Sequence, residues 1–122
     1  MQENVTNEFA YVVLSNPVQG REDEYNDWYT NTHLTDVIAV PGFVAAQRFR
    51  LHDAKAQGAP QQRYMAIYTL RSDEPEAVLA SLTALVETGQ MTISEAFSQD
   101  GLSDNLYEVL TPPVTHSNPV EA

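Results

Sequence analysis

Two segments of this 122-residue chain are apolar on both faces of the strands they predict, and that restricts the folds open to it. In EFAYVVLSN, residues 8–16, Tyr11 and Val13 share one side while Val12 and Leu14 share the other. In RYMAIYTLR, residues 63–71, Tyr64, Ala66 and Tyr68 stand against Met65 and Ile67. Side chains two apart lie on one face of a strand, and an antiparallel sheet with one wet face alternates polar with apolar. Both faces of this sheet therefore need cover. The chain carries two main helical patterns, enough for one side. The economical cover for the other is the same sheet of a second copy, so the pattern predicts a homodimer through the sheet face.

The remaining elements follow from punctuation and periodicity. The first strand ends at Asn16-Pro17, and Gly20 with Glu22, Asp23 and Glu24 leads into a helix over 21–38 that Pro41-Gly42 stops. Acidic residues suit the positive end of a helix dipole. At helical spacing Tyr25, Trp28, Tyr29, Thr32 and Asp36 share a face, with His33 at its edge. Strands are predicted over 43–52, 63–71 and 105–111. Asp73, Glu74 and Pro75 open a second helix with an apolar stripe of Val78, Leu79, Leu82, Leu85 and Val86, ended by Gly89. Residues 91–98 read as a short extra helix. The order β-α-β-β-α-β is the ferredoxin-like arrangement, an α+β fold with a four-stranded antiparallel sheet. One domain is expected over 8–111, with residues 1–7 and 112–122 as flexible or arm-like termini.

Charge and composition narrow the function. Asp and Glu number 17 against 6 Lys and Arg, a net charge of −11. So acidic a chain lacks the basic patch that nucleic acid or an anionic membrane surface requires. There is no cysteine, hence no thiol nucleophile, disulfide framework or Cys-ligated metal. No apolar run is long enough to cross a bilayer, and the N-terminal residues do not read as a signal peptide; the expected location is cytoplasmic. Nucleotide-binding glycine loops and a nucleophile elbow are missing. The three histidines are scattered in no metal-binding spacing, so no metal is expected.

The chemistry that remains sits on few side chains. EYNDWYTNTHL puts Trp28, Tyr29 and His33 on adjacent turns, and a histidine can act as acid or base near neutral pH. Against this stands the plainer reading that the aromatics are core and His33 bonds to nearby backbone. Arg48 lies on strand 2, where it could hold an anionic group or form a surface ion pair. Tyr11, Tyr64, Tyr68 and Tyr107 are strand tyrosines, suited to packing or to aiming a hydroxyl into a cavity.

The segment SNPVQGREDEYNDWYTNTHLTDVIAVPGFVAAQRFRL resembles the EthD-like family of dimeric α+β barrel proteins. The likeness rests on Asn16-Pro17, Gly20 with Glu22 and Asp23, Trp28-Tyr29-x-x-x-His33-Leu34, and Val40-Pro41-Gly42-Phe43 running into Ala46-x-Arg48-Phe49. The strand RYMAIYTL and the stretch GQMTISEAF look similar too. The resemblance implies two protomers stacked sheet to sheet into a barrel, with a pocket between sheet and helices in each. Proteins of this architecture include ether-degradation proteins, polyketide cyclases, muconolactone isomerases and cofactor-free monooxygenases; haem-degrading enzymes share the broader fold. His33 matches the histidine of the W-Y-x-x-x-H stretch. Thr69 departs from the pattern, standing where a glutamate after the strand-3 tyrosine is expected.

What this implies is a small-molecule enzyme without cofactor, performing acid–base chemistry of the lyase, isomerase or cyclase type on an oxygenated aromatic or cyclic compound. His33 is the expected acid or base. Tyr29 and Tyr68 orient the substrate oxygen, Arg48 offsets developing charge, Trp28 forms an apolar wall, and Tyr11 and Tyr107 contact substrate. The competing readings are a non-catalytic binding protein using the same pocket, a haem-binding protein, and a cofactor-free monooxygenase.

Overall fold

The computed structural model describes residues 7–52, 58 and 61–116. Four strands, β1 (Glu8–Ser15), β2 (Phe43–Arg50), β3 (Tyr64–Arg71) and β4 (Ser103–Glu108), form one sheet in the order β2-β3-β1-β4. Every neighbouring pair is antiparallel. The first helical stretch comprises α1 (Glu22–Trp28), a π-helical turn (Tyr29–His33) and α2 (Leu34–Ile38). The second is α3 (Pro75–Glu87), begun by a proline whose missing N–H costs nothing in the first turn. This is the ferredoxin-like α+β fold read from the sequence. The expected arms, 1–7 and 112–122, fall mostly outside the described residues.

The register sorts the sheet into two faces. Tyr11 opposes Tyr68, Val13 opposes Ala66 and Ser15 opposes Tyr64, so these residues face the helices. There they build the core with Tyr25, Tyr29, Val37 and Leu70, of which Tyr25 and Leu70 are wholly enclosed. Arg48, paired with Ala66, is also on the helix face. Val12, Leu14, Met65 and Ile67 point the other way, joined there by Phe49 and Tyr107. That second face is as apolar as the sequence predicts, and Tyr107 on it is 56% exposed.

The π turn changes which residues meet the core. The Leu34 N–H reaches back five residues to the Tyr29 carbonyl, so this turn holds one residue more than an α turn. The buried positions become Tyr25, Tyr29, His33 and Val37, every fourth residue. Thr32 and Asp36, expected on the packed face, are exposed and half-buried, while His33 moves from the edge of the face to its centre. In a uniform α-helix His33 would have stayed at the edge of that face.

Two further segments differ from expectation. Residues 91–98 are not a helix. They run as turns and extended chain, bridged to strand 1's exit by Pro17 and Phe97, with the Val18 N–H donating to the Ala96 carbonyl at 2.7 Å and the Ser98 N–H to the Asn16 carbonyl at 3.0 Å. The Ser94 hydroxyl accepts from the Ala96 N–H at 3.0 Å, a local bond of the kind that competes with helix. Strand 4 lies earlier than the predicted 105–111, because its pairing to β1 runs from Leu14–Ser103 to Phe9–Glu108 and β1 has no residue beyond Glu8 to pair. Leu110 is left 81% exposed.

Candidate active site

A cavity of about 320 Å³ lies between the helix face of the sheet, the π turn and α3. The sheet supplies Tyr11, Tyr68 and Asp104; the π turn supplies Tyr29 and His33; α3 supplies Leu82, Val86 and Glu87. The 91–98 segment contributes Ile93 and Phe97 to its wall. Its volume is at the small end of ligand-binding cavities.

Its polar groups are hydroxyls, one imidazole and carboxylates. The Tyr68 hydroxyl donates to the Tyr29 hydroxyl at 3.3 Å, and the Tyr11 hydroxyl donates to Asp104 Oδ2 at 2.5 Å. Burial pushes the Tyr29 hydroxyl up to about 12. Burial likewise raises Tyr68, helped by the neighbouring Tyr29, and raises Tyr11, helped by the hydrogen bond to Asp104. All three are proton-bearing donors at neutral pH. Burial acts oppositely on His33, lowering it to about 4, because a cation loses more than a neutral ring when water is removed. His33 is thus a neutral imidazole at pH 7.

Trp28 and His33 stack with ring centroids 4.6 Å apart and planes 23° from parallel. Tyr29 meets the His33 ring edge-on at 5.1 Å. His33 is 8% exposed, and its Nδ1 is sealed from solvent with no hydrogen-bond partner, as is Trp28 Nε1. Nε2 is therefore the ring nitrogen that can meet a cavity ligand.

The residues singled out from the sequence divide into three groups. His33, Tyr29, Tyr68 and Tyr11 line the cavity together. Trp28 and Arg48 sit behind that wall: Trp28 backs His33, and the Arg48 guanidinium lies 4.5 Å from the Tyr29 ring centre. Arg48 donates to Asn26 Oδ1 and Thr30 Oγ1, each at 2.8 Å, so it braces α1 and the π turn instead of touching the cavity. Tyr107 is the correction. Its partner across β1 is Ala10, so it belongs to the opposite sheet face and cannot contact a ligand in this cavity. Thr69 pairs with Ala10 and Ala45 on that same opposite face; a glutamate there would not reach this cavity either.

Asp104, Phe97 and Glu87 were missed. Asp104 lies just before the strand predicted over 105–111, and Phe97 lies in the segment read as a helix. The alternation Asp104–Leu106 against Asn105–Tyr107 was the available signal for the first. Among the described residues no group of three or more histidine or acidic side chains could hold a metal ion.

A ferredoxin-like domain whose sheet and helices enclose an aromatic, hydroxyl-lined cavity is the class that this topology defines. No protein-family model matches the chain, and no curated protein matches it. Solved structures do. A haem-degrading protein of Mycobacterium tuberculosis, solved with two haems in its active site, is 18% identical with a TM-score of 0.61, over 87% of this chain and 99% of that one. An EthD-like protein of Ralstonia eutropha is 16% identical with a TM-score of 0.56, over 88% and 96%. A dimeric ferredoxin-like protein of unknown function from Jannaschia is 19% identical with a TM-score of 0.56, over 84% and 99%. Likeness at these identities establishes the fold. An EthD-like protein is among the neighbours, as the sequence resemblance implied.

Proposed function

We propose that this chain is a small-molecule enzyme whose cavity performs acid–base chemistry, of the lyase, isomerase or cyclase type, on an oxygenated aromatic or cyclic compound without a cofactor. The observation that carries this reading is the joint presence of a neutral imidazole, His33, and the linked hydroxyls of Tyr29 and Tyr68 in the wall of one cavity. Buried hydroxyl donors such as those of Tyr29 and Tyr68 stabilise charge that develops on a substrate oxygen, and Phe97, Leu82 and Val86 supply apolar walls for a flat ring. His33 exchanges or shares the proton. Asp104, held by Tyr11, is a carboxylate in the same wall that the sequence did not point to.

The protein is proposed to work as a cytoplasmic homodimer. Supporting this are the apolar outer face of Val12, Leu14, Met65 and Ile67 and the dimeric state of the Jannaschia neighbour. Among the described residues no helix is long and apolar enough to cross a membrane. A non-catalytic binding role for the same cavity is the second reading. It is favoured by the low His33 pKa, since a proton shuttle works best near the operating pH.

The test is turnover of a panel of oxygenated ring compounds, followed by absorbance and mass, with His33→Ala alongside. The enzyme reading predicts a compound that the native protein converts and the folded variant converts at least ~100-fold more slowly. Tight binding without conversion favours the carrier reading, and unchanged conversion by His33→Ala removes His33 from the mechanism.

A further inference from the structure

We infer that His33 meets its ligand as a hydrogen-bond donor through Nε2–H, and that the cavity selects an uncharged, flat compound bearing a carbonyl-type oxygen. The inference deepens the proposed function and rests on the cavity being the ligand site. Its first leg is the sealed Nδ1. That atom has no surface that a water molecule could reach, and no hydrogen-bond partner among the described residues. The indole N–H of Trp28 is equally orphaned, and the near-parallel stacking of the two rings keeps each N–H in its own plane, so neither can serve the other.

A proton on Nδ1 would leave a second unmet donor in the same enclosure. Orphaned buried N–H groups are the rarer and dearer defect. A proton on Nε2 leaves only a lone pair unmet at Nδ1 and turns the N–H toward the cavity, where ligand or water can accept it. The imidazolium would carry both protons and is worse than either, in line with the lowered pKa. The rings against the imidazole are those of Trp28 and Tyr29, and the wall His33 shares also carries the Asp104 and Glu87 carboxylates. A donor at Nε2 calls for an acceptor on the ligand.

The second leg is charge. Among the described residues no arginine lines the cavity, while Asp104 and Glu87 do. Arg48, against the Tyr29 ring but outside the cavity lining, already donates to Asn26 and Thr30. In a chain of net charge −11, a carboxylate ligand would be desolvated beside like charges with no cation to receive it. An uncharged carbonyl compound meets His33 Nε2–H and the Tyr29 hydroxyl, which accepts from Tyr68 and keeps its own proton to donate, without that cost. The leading reading thereby narrows toward carbonyl polarisation, with His33 as the neutral donor and not as the base.

The experiment uses the full-length chain labelled with ¹⁵N-histidine and three probes of one shape: 2-acetylnaphthalene, 2-naphthoate and naphthalene. The chain has three histidines, so the signals of His33 are those lost in His33→Gln. Long-range ¹H–¹⁵N spectra at pH 7 report which nitrogen bears the proton. The expected result is a proton on Nε2, a shift of that signal on adding 2-acetylnaphthalene, and affinity for it at least ~10-fold above the other two probes, roughly one charge-free hydrogen bond or more. His33→Gln, which keeps an amide donor, is expected to retain the preference for the ketone over naphthalene, and His33→Leu to lose it. A proton on Nδ1, or naphthoate binding as tightly as the ketone, overturns the inference and leaves the cavity reading standing. A folded protein whose cavity signals respond to none of the three probes overturns the proposed function and the ligand selection with it.

Discussion

The Arg48 guanidinium sits 4.5 Å from the centre of the Tyr29 ring, and it is the ring, not the guanidinium, that lines the cavity. The same group bonds Asn26 on α1 and Thr30 in the π turn. One strand residue thus holds the helical stretch at the point where it departs from α geometry, and fixes the ring whose hydroxyl enters the site. Lysine cannot reproduce this, since its ammonium lacks the planar fork that donates in two directions while stacking. Arg48→Lys is expected to destabilise the fold by about 1 kcal/mol, the scale of a partly exposed cation–π contact with its hydrogen bonds. Arg48→Met should cost more. Urea denaturation measures both, and native-like stability of Arg48→Met would show that the π turn holds without this brace.

His33 makes stability depend on pH. Burial lowers its pKa to about 4 from the ordinary 6.5. In the window between those values the unfolded chain binds a proton that the folded chain refuses. Stability therefore rises with pH across the window and is lost as pH falls from about 6.5 toward 4. The full effect is on the order of 3 kcal/mol. Other groups titrate here too, so the measurement is the difference between native protein and His33→Gln in denaturation at pH 5 and pH 7. The variant is expected to lose part of the native slope; equal slopes would mean that His33 is solvated in the folded state.

Gly42 is required by its backbone and by its neighbour. Its φ is +107°, and a Cβ placed there would stand 2.7 Å from Val78 Cγ2 on α3. Gly42→Ala combines a left-handed conformation with a steric clash where β2 begins, and should cost at least ~2 kcal/mol. Adding Val78→Ala relieves the clash and not the φ, so the double variant should lie nearer the native melting temperature than additivity allows. Strict additivity of the two losses would show that the clash is absent.

The outer sheet face predicts its own partner. Ile67 sits near the middle of that face, opposite Val12 on β1 and Gln47 on β2. Ile67→Lys places a charge there without touching the helix-side core. The native protein is expected to sediment with the mass of two chains and the variant with that of one, both showing the same circular dichroism. A native protein sedimenting as one chain would mean that something other than a second copy covers this face.

The expectations that matched the fold rest on short-range rules. Alternation in 8–16 and 63–71 located two strands and showed that both sheet faces are apolar, and proline, glycine and acidic residues marked the helix starts. The misses have a common cause, which is that a tertiary partner outvoted local pattern. Residues 91–98 have a composition tolerable in a helix, but pairing with Pro17 and Val18 drew them into extended chain. Strand 4 slid toward its N-terminus because β1 dictated where pairing could end.

The site was legible in part. His33, Tyr29, Tyr68 and Tyr11 were picked out as residue types able to do chemistry, and they do share a cavity. Tyr107 was equally eligible by type, yet a single step along β4 assigns it to the other face. Asp104, one of the cavity's two carboxylates, was findable only by extending the alternation of strand 4 back beyond residue 105, since its residue type does not separate it from the other acidic residues of so acidic a chain.

By itself the sequence determined the element order, the two-faced apolar sheet and the supply of aromatic and hydroxyl groups, since these depend on periodicities of two and near four that any stretch of chain displays. Only the tertiary structure decided that His33 faces inward and Thr32 outward, because that turns on one extra residue in the π turn, stabilised by packing against the sheet and by Arg48 from β2. It also decided that His33 is neutral and joined to Tyr29, Tyr68 and Asp104 around one space, since desolvation and enclosure arise only when segments far apart in the chain close over one another.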